Sequence, residues 1–163
     1  MGDRNVLGGE LEPCGTDPVT GFYRDGCCST GPEDMGSHTI CAVVTADFLE
    51  HQRRIGNDLS TPVPRYQFPG LVPGDRWCVT AANWLRAHRD GAAAPVVLAS
   101  THERALEIVP LATLREQMNF AGPAALYCSE SCYLRNSATA GPERFTLDGR
   151  SMQKIGEKAV PAG

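Results

Sequence analysis

The chain has 163 residues, 42% of them hydrophobic and 21% charged, and a formal net charge of −4 at pH 7. That is enough chain for one self-sufficient core, with the composition of an ordinary globular protein. It carries no basic run longer than Arg53-Arg54, which excludes nucleic acid as an expected partner because phosphate backbones call for a basic stripe.

In chain order, residues 5–38 are dense in Gly, Pro, Asp and Thr, with turn signals at "TDPVTG", "RDG" and "STGPEDMG". They predict a loop-rich N-terminal layer. Thr39 to Val44 alternate as a strand, with Ile40, Ala42 and Val44 on one face and Cys41 and Val43 on the other. Thr45 is placed to cap a helix running to about Ile55, with Phe48, Leu49, Gln52 and Ile55 on one face and Gly56-Asn57 as its stop. "DLSTPVPRYQFPGLVPGDR", with four prolines, predicts an extended, turn-punctuated connection. A short strand is expected at Trp77 to Thr80, then a helix from about Ala82 to Asp90 ended by Gly91. "APVVLAST" reads as a buried strand, "HERALE" as a short helix or turn, "IVP" as a candidate strand and "LATLREQM" as a closing helix.

Short strands and long loops predict an α+β fold. The expected layout is one compact domain at 5–118 followed by a C-terminal extension, 119–163, that is small, polar and partly disordered. No apolar run nears the roughly 20 residues that span a bilayer. The start "MGDRNVLGGELEPC" has no signal-like apolar stretch, and Val6 stands where a myristoylation pattern wants Ser or Thr. The expectation is a soluble intracellular protein, cytoplasmic by default, with an organelle address left open and no membrane partner.

Seven cysteines are an odd number. In a reducing compartment thiols are expected to be buried, metal-bound or reactive rather than bridged. A bond between neighbours Cys27 and Cys28 is sterically poor, since a trans peptide sets their α-carbons about 3.8 Å apart, below the ~4.4 Å of ordinary disulfides.

Three stretches carry a resemblance: "NVLGGELEPCGTDPVTGFYRDGCCSTGPEDMGSHTICAVVT", "GNDLSTPVPRYQFPGLVPGDRWC" and "APVVLASTHERALEIVPLATL". Over about residues 5–117 the chain resembles the domain of unknown function 2237 family. The resemblance implies a small domain, mostly of bacterial type and also found in eukaryotes, with no assigned activity. Where the family commonly reads Cys-Leu-Cys-Ala-x-Arg-Trp, this chain has Cys78-Val79-Thr80-Ala81-Ala82-Asn83-Trp84. Where it often reads Leu-Glu-Ala-Thr-His, the chain has Leu98-Ala99-Ser100-Thr101-His102. Chemistry that needs a thiol at Thr80 or a carboxylate at Ala99 is therefore not expected here.

Cys14, Cys28, His38, Cys41 and Cys78 are the candidate metal ligands, zinc being the ion that four such donors would suit. No Cys-x-x-Cys pair supports them, and burial as small apolar groups is the competing account. For thiol catalysis the candidates are Cys28 or Cys27, activated by Arg24, with His38 or His102 as base. Arg24, Asp25, Glu33 and Asp34 are alternatively a fixed hydrogen-bond network stitching the loop layer to the core. Cys128 and Cys132 form a separate pair, on one face if helical. Three readings of function remain: a Cys/His binding module with a candidate zinc site, a thiol-dependent enzyme, or an interaction protein with buried thiols.

Overall fold

The expected strand and helix that follow the loop layer form where the alternation and the cap place them. β1 is Ile40–Val43, and α1 is Ala46–Arg54 with the Thr45 side chain accepting the Phe48 N–H at 3.1 Å. This computed structural model describes residues 2–119 and, beyond them, three strand segments. The chain divides into two units, residues 1–119 and 120–163.

In the first unit β1 pairs antiparallel with β2 (Arg76–Val79), matching Ile40 with Val79, Cys41 with Cys78 and Ala42 with Trp77. α2 is Ala81–Arg89 and α3 is Leu111–Glu116. The fold is α+β. Period-2 alternation splits the small sheet between two buried clusters. Ile40, Ala42, Val44, Trp77 and Val79 join Phe48, Trp84, Val96 and Leu114 in the apolar core. Cys41 and Cys78 belong instead to a second cluster with Cys14 and Cys28.

α1 buries Phe48, Leu49 and Gln52 as its spacing predicts, and also His51. His51 Nε2 lies 2.7 Å from Asp90 Oδ2 just past α2, which ties the two helices together. "APVVLAST" differs from the expected strand. Val96 makes only single-residue bridges, to Ala42 and Met118, and a 3-10 turn follows at Leu98–Ser100. An apolar run marks burial, and here the backbone is satisfied one residue at a time: Val96 N–H by Gln117 O and Val97 N–H by Cys41 O. "IVP" is likewise no strand; Ile108 closes a 3-10 helix at Glu103–Glu107, and Val109 is simply buried.

The loop-rich layer is ordered by specific bonds rather than regular ladders. The Asn5 side chain donates to Glu10 O and Ala99 O and accepts from the Leu7 and Gly9 N–H groups. Glu12 N–H reaches Ala99 O, and Ser100 Oγ donates to Pro13 O. The Thr20 hydroxyl accepts the Cys78 N–H at 2.8 Å. Turn-rich chain without a ladder must satisfy its buried amides in this way.

In the second unit β3 (Cys132–Arg135), β4 (Pro142–Leu147) and β5 (Met152–Ile155) form an antiparallel sheet in that order. Strands there were not anticipated from a small, polar composition. Of the candidate cysteine pair, Cys132 opens β3 and Cys128 lies outside the described residues. No helix among the described residues is long and apolar enough to cross a membrane.

Candidate functional site: a cysteine cluster beside an aromatic cleft

Four of the five candidate metal ligands do come together, but as two disulfides. Cys14 is bonded to Cys41 and Cys28 to Cys78, with α-carbons 5.7 and 5.3 Å apart. All four residues are 0–2% exposed. The Cys14, Cys28 and Cys78 sulfurs lie within 4.8 Å of one another, so the two bonds are adjacent. Thiols expected to stay unbridged are therefore bridged. Spacings of 27 and 50 residues held no hint of this, because the register of β1 on β2 and the path of the loop layer decide which sulfurs meet.

His38, the fifth candidate, is engaged elsewhere. Its Nδ1 is 2.6 Å from Asp34 Oδ1, and its backbone N–H donates to Asp34 Oδ2 at 2.8 Å. Thr30 Oγ1 also donates to Asp34 Oδ2. Burial works against charge on Asp34, yet the bonds from His38 and Thr30 outweigh it and hold the carboxyl below its ordinary value. With Nδ1–H given to Asp34, a neutral His38 keeps Nε2 as an acceptor. Asp90 is likewise held low, chiefly by its bond to His51.

These depressed carboxylates set an acid limit. A lowered folded-state value means stability is fully present above the unfolded value, near 3.9, and is lost as pH falls through the lower folded value. Thermal melts should hold a plateau above about pH 5 and decline steadily below about pH 4. Asp34→Asn should flatten part of that decline. An identical acid slope in the variant would remove Asp34 from the account.

His38 also lines a cleft of about 390 Å³ shared with Gly21, Phe22, Arg24, Tyr66, Trp77 and Cys78. Phe68 stands against Trp77 with ring centres 5.2 Å apart, and Phe22 lies 5.7 Å from the His38 ring. The Arg24 guanidinium sits over the Trp77 ring at 4.8 Å. Among the described residues it makes no ion pair. Gly21 (φ +99) bends the loop so tightly that a Cβ there would stand 2.3 Å from Cys27 O.

The expected Arg24–Asp25–Glu33–Asp34 network is thus divided. Asp25 accepts the Cys27 N–H, Glu33 accepts the Tyr23 hydroxyl, and Asp34 holds His38, while Arg24 faces the cleft. The Glu33 bond pushes Tyr23 up to about 12. As for the candidate nucleophiles, Cys28 is bonded, and Cys27 is a half-buried free thiol. Burial and the Asp25 and Asp3 carboxylates push the Cys27 thiol up, the reverse of activation.

His102 lies apart from the cleft. Its Nδ1 accepts the Arg104 N–H at 3.0 Å, and Nε2 is 3.7 Å from Asp3 Oδ1. It lines a second cavity of about 580 Å³ with Asp3, Arg4 and Glu10. Sequence reading passed over the cleft walls Phe22, Tyr66 and Phe68. The aromatic pair inside the proline-rich "PRYQFP" was the available signal, since extended chain that exposes two rings invites a groove.

No curated protein matches the chain. The family described as an uncharacterized protein conserved in bacteria (DUF2237) matches residues 4–118. That span is most of the chain, and the chain belongs to the DUF2237 family.

Proposed function

We propose that the protein is a small binding module whose aromatic cleft takes an anionic ligand with a flat apolar body, such as an aromatic carboxylate. One observation carries this reading. Among the described residues, the non-glycine positions with left-handed backbone are Arg24 (φ 56), Ser37 (φ 55) and Gln67 (φ 53). Arg24 lines the cleft, Ser37 precedes the lining residue His38, and Gln67 sits between Tyr66 and Phe68. Backbone strain of this kind costs about 1 kcal/mol or more per residue and persists where a site demands it. Here it brings to one place an imidazole, four rings and a guanidinium that has no carboxylate partner among the described residues. Guanidinium pairs with carboxylate in a bidentate fork, and the rings supply apolar area.

The test is a titration with benzoate and phenyl phosphate, read by the fluorescence of Trp77 in a Trp84→Phe background. Saturable quenching is expected, with benzyl alcohol inert. Arg24→Ala should weaken binding by roughly tenfold or more, the loss of one charge-assisted contact. Equal affinity in that variant would overturn the reading.

A second reading rests on the sulfur cluster. Once both bonds are reduced, Cys14, Cys28 and Cys78 hold three thiolates within 4.8 Å of one another, and Cys41 of the same buried cluster would have to close in to complete the four-sulfur set zinc takes at about 2.3 Å. His38 would not join them while it holds Asp34. Protein reduced with a phosphine should bind about one more zinc equivalent than oxidised protein. Cys28→Ala/Cys78→Ala should lose that increment, and an unchanged increment would discard the site.

A further inference from the structure

The cleft and the disulfides meet at one residue. Cys78 lines the cleft, whereas Cys28, Cys14 and Cys41 do not. Of the bonded cysteines, Cys78 (1% exposed) is thus the one that borders the cleft, and a solute there approaches the Cys28–Cys78 bond from its side. Behind that bond, Cys14 Sγ lies within 4.8 Å of both Cys28 and Cys78. Cys41 and Cys78 are also direct cross-strand partners. Their N–H groups donate to Thr101 Oγ1 and Thr20 Oγ1 rather than to each other. Such a non-hydrogen-bonded pair has α-carbons about 4.5 Å apart, within the ~4.4–6.8 Å that a disulfide accepts.

We propose that Cys78 is a modification site for small anionic thiols, and that its modification re-pairs the four cysteines. This rests on the anion-binding reading of the cleft, because Arg24 would hold the carboxylate of the incoming thiol. The thiolate attacks Cys78 Sγ, forms a mixed disulfide there and expels the Cys28 thiolate. Cys28 attacks Cys14 Sγ, making a Cys14–Cys28 bond and expelling the Cys41 thiolate. Cys41 attacks the mixed disulfide across the strand pair, making Cys41–Cys78 and returning the small thiolate. Two disulfides enter and two leave, so the cycle consumes no oxidant or reductant.

The product differs in what it joins. Now each bond fastens the loop layer, through Cys14 or Cys28, to a strand of the sheet. After exchange one bond lies wholly within the layer and the other wholly within the sheet. The layer that supplies Gly21, Phe22 and Arg24 to the cleft is then released from its covalent anchors.

The experiment incubates the oxidised, metal-free chain with 3-mercaptopropionate or with cysteamine at equal thiolate concentration, then quenches by alkylation. Cutting after Arg and before Asp places Cys14, Cys28, Cys41 and Cys78 on four separate peptides, and fragmentation between Cys27 and Cys28, which share one of them, lets mass analysis read every pairing. The expected result is the appearance of Cys14–Cys28 and Cys41–Cys78, faster with the anionic thiol. Arg24→Ala should slow it by roughly tenfold. In Cys14→Ser/Cys41→Ser, where the relay has no second bond, the adduct should accumulate on Cys78. Retention of the original pairing in the wild type, or an adduct mainly on Cys28, would overturn the proposal. Re-pairing that is equally fast with cysteamine and in Arg24→Ala would overturn the anionic selectivity and leave the relay standing. Benzoate binding without re-pairing would leave the cleft reading intact and remove the relay.

Discussion

Removing the Cys28–Cys78 bond with paired alanines should lower stability by about 4 kcal/mol, the chain-entropy value for a loop of about 50 residues. In a chain of this size that is a fall of roughly 10–15 °C in thermal midpoint. The sequence separation is 50 residues for this bond and 27 for Cys14–Cys41. The shorter loop should therefore cost slightly less, about 3.5 kcal/mol. Because the loops overlap, removing both should cost less than the sum, as expected for coupled constraints. Denaturant melts of the two double variants and the quadruple variant measure this directly. Cys27→Ser, a change at the half-buried free thiol, serves as the control and should stay within about 0.5 kcal/mol of wild type. Paired variants as stable as that control would show that the bonds do not constrain the loop layer.

The second large effect is expected at Trp84. Its side chain is fully buried on α2, its Nε1–H donates to Ala94 O at 2.9 Å, and it stacks on His88. Trp84→Ala should cost about 3–5 kcal/mol, combining lost apolar burial, the cavity left behind and an unpaired buried carbonyl. Trp84→Phe separates these contributions. It keeps most of the apolar volume, forfeits the indole bond, and should cost about 1–3 kcal/mol for leaving the Ala94 carbonyl unpaired. If both variants melted with wild type, the segment after Gly91 would have to be held to the core by other contacts.

What the sequence made legible was local. Thr45 before an apolar 3–4 spacing specifies the start and buried face of α1, and alternation from Ile40 specifies the two faces of β1. Those patterns are set by neighbours within a turn or a pleat, so they survive without tertiary information. Cys41 turned away from the apolar core follows from that same alternation. Which sulfur it would meet does not, because Cys14 reaches it only through bonds such as Cys14 N–H to Gly26 O and Ser100 Oγ to Pro13 O. His51 was missed for the same reason: its partner Asp90 lies 39 residues away. The cleft was hidden because Arg24, His38 and Trp77 come from three separate segments. Each taken alone reads as a loop cation, a loop histidine and a core anchor.

The order of the bonded cysteines, 14 to 41 and 28 to 78, has a consequence for proteolysis. Any single cut between residues 14 and 78 leaves its two fragments joined by at least one of these bonds. A cut between 28 and 41, the stretch holding the almost fully exposed Met35, leaves them joined by both. Exposed loop tips of this kind are where proteases first act. A chain nicked there would migrate as intact on a non-reducing gel and separate only after reduction. The loop that carries Met35 is thus also the one whose cleavage parts the molecule least.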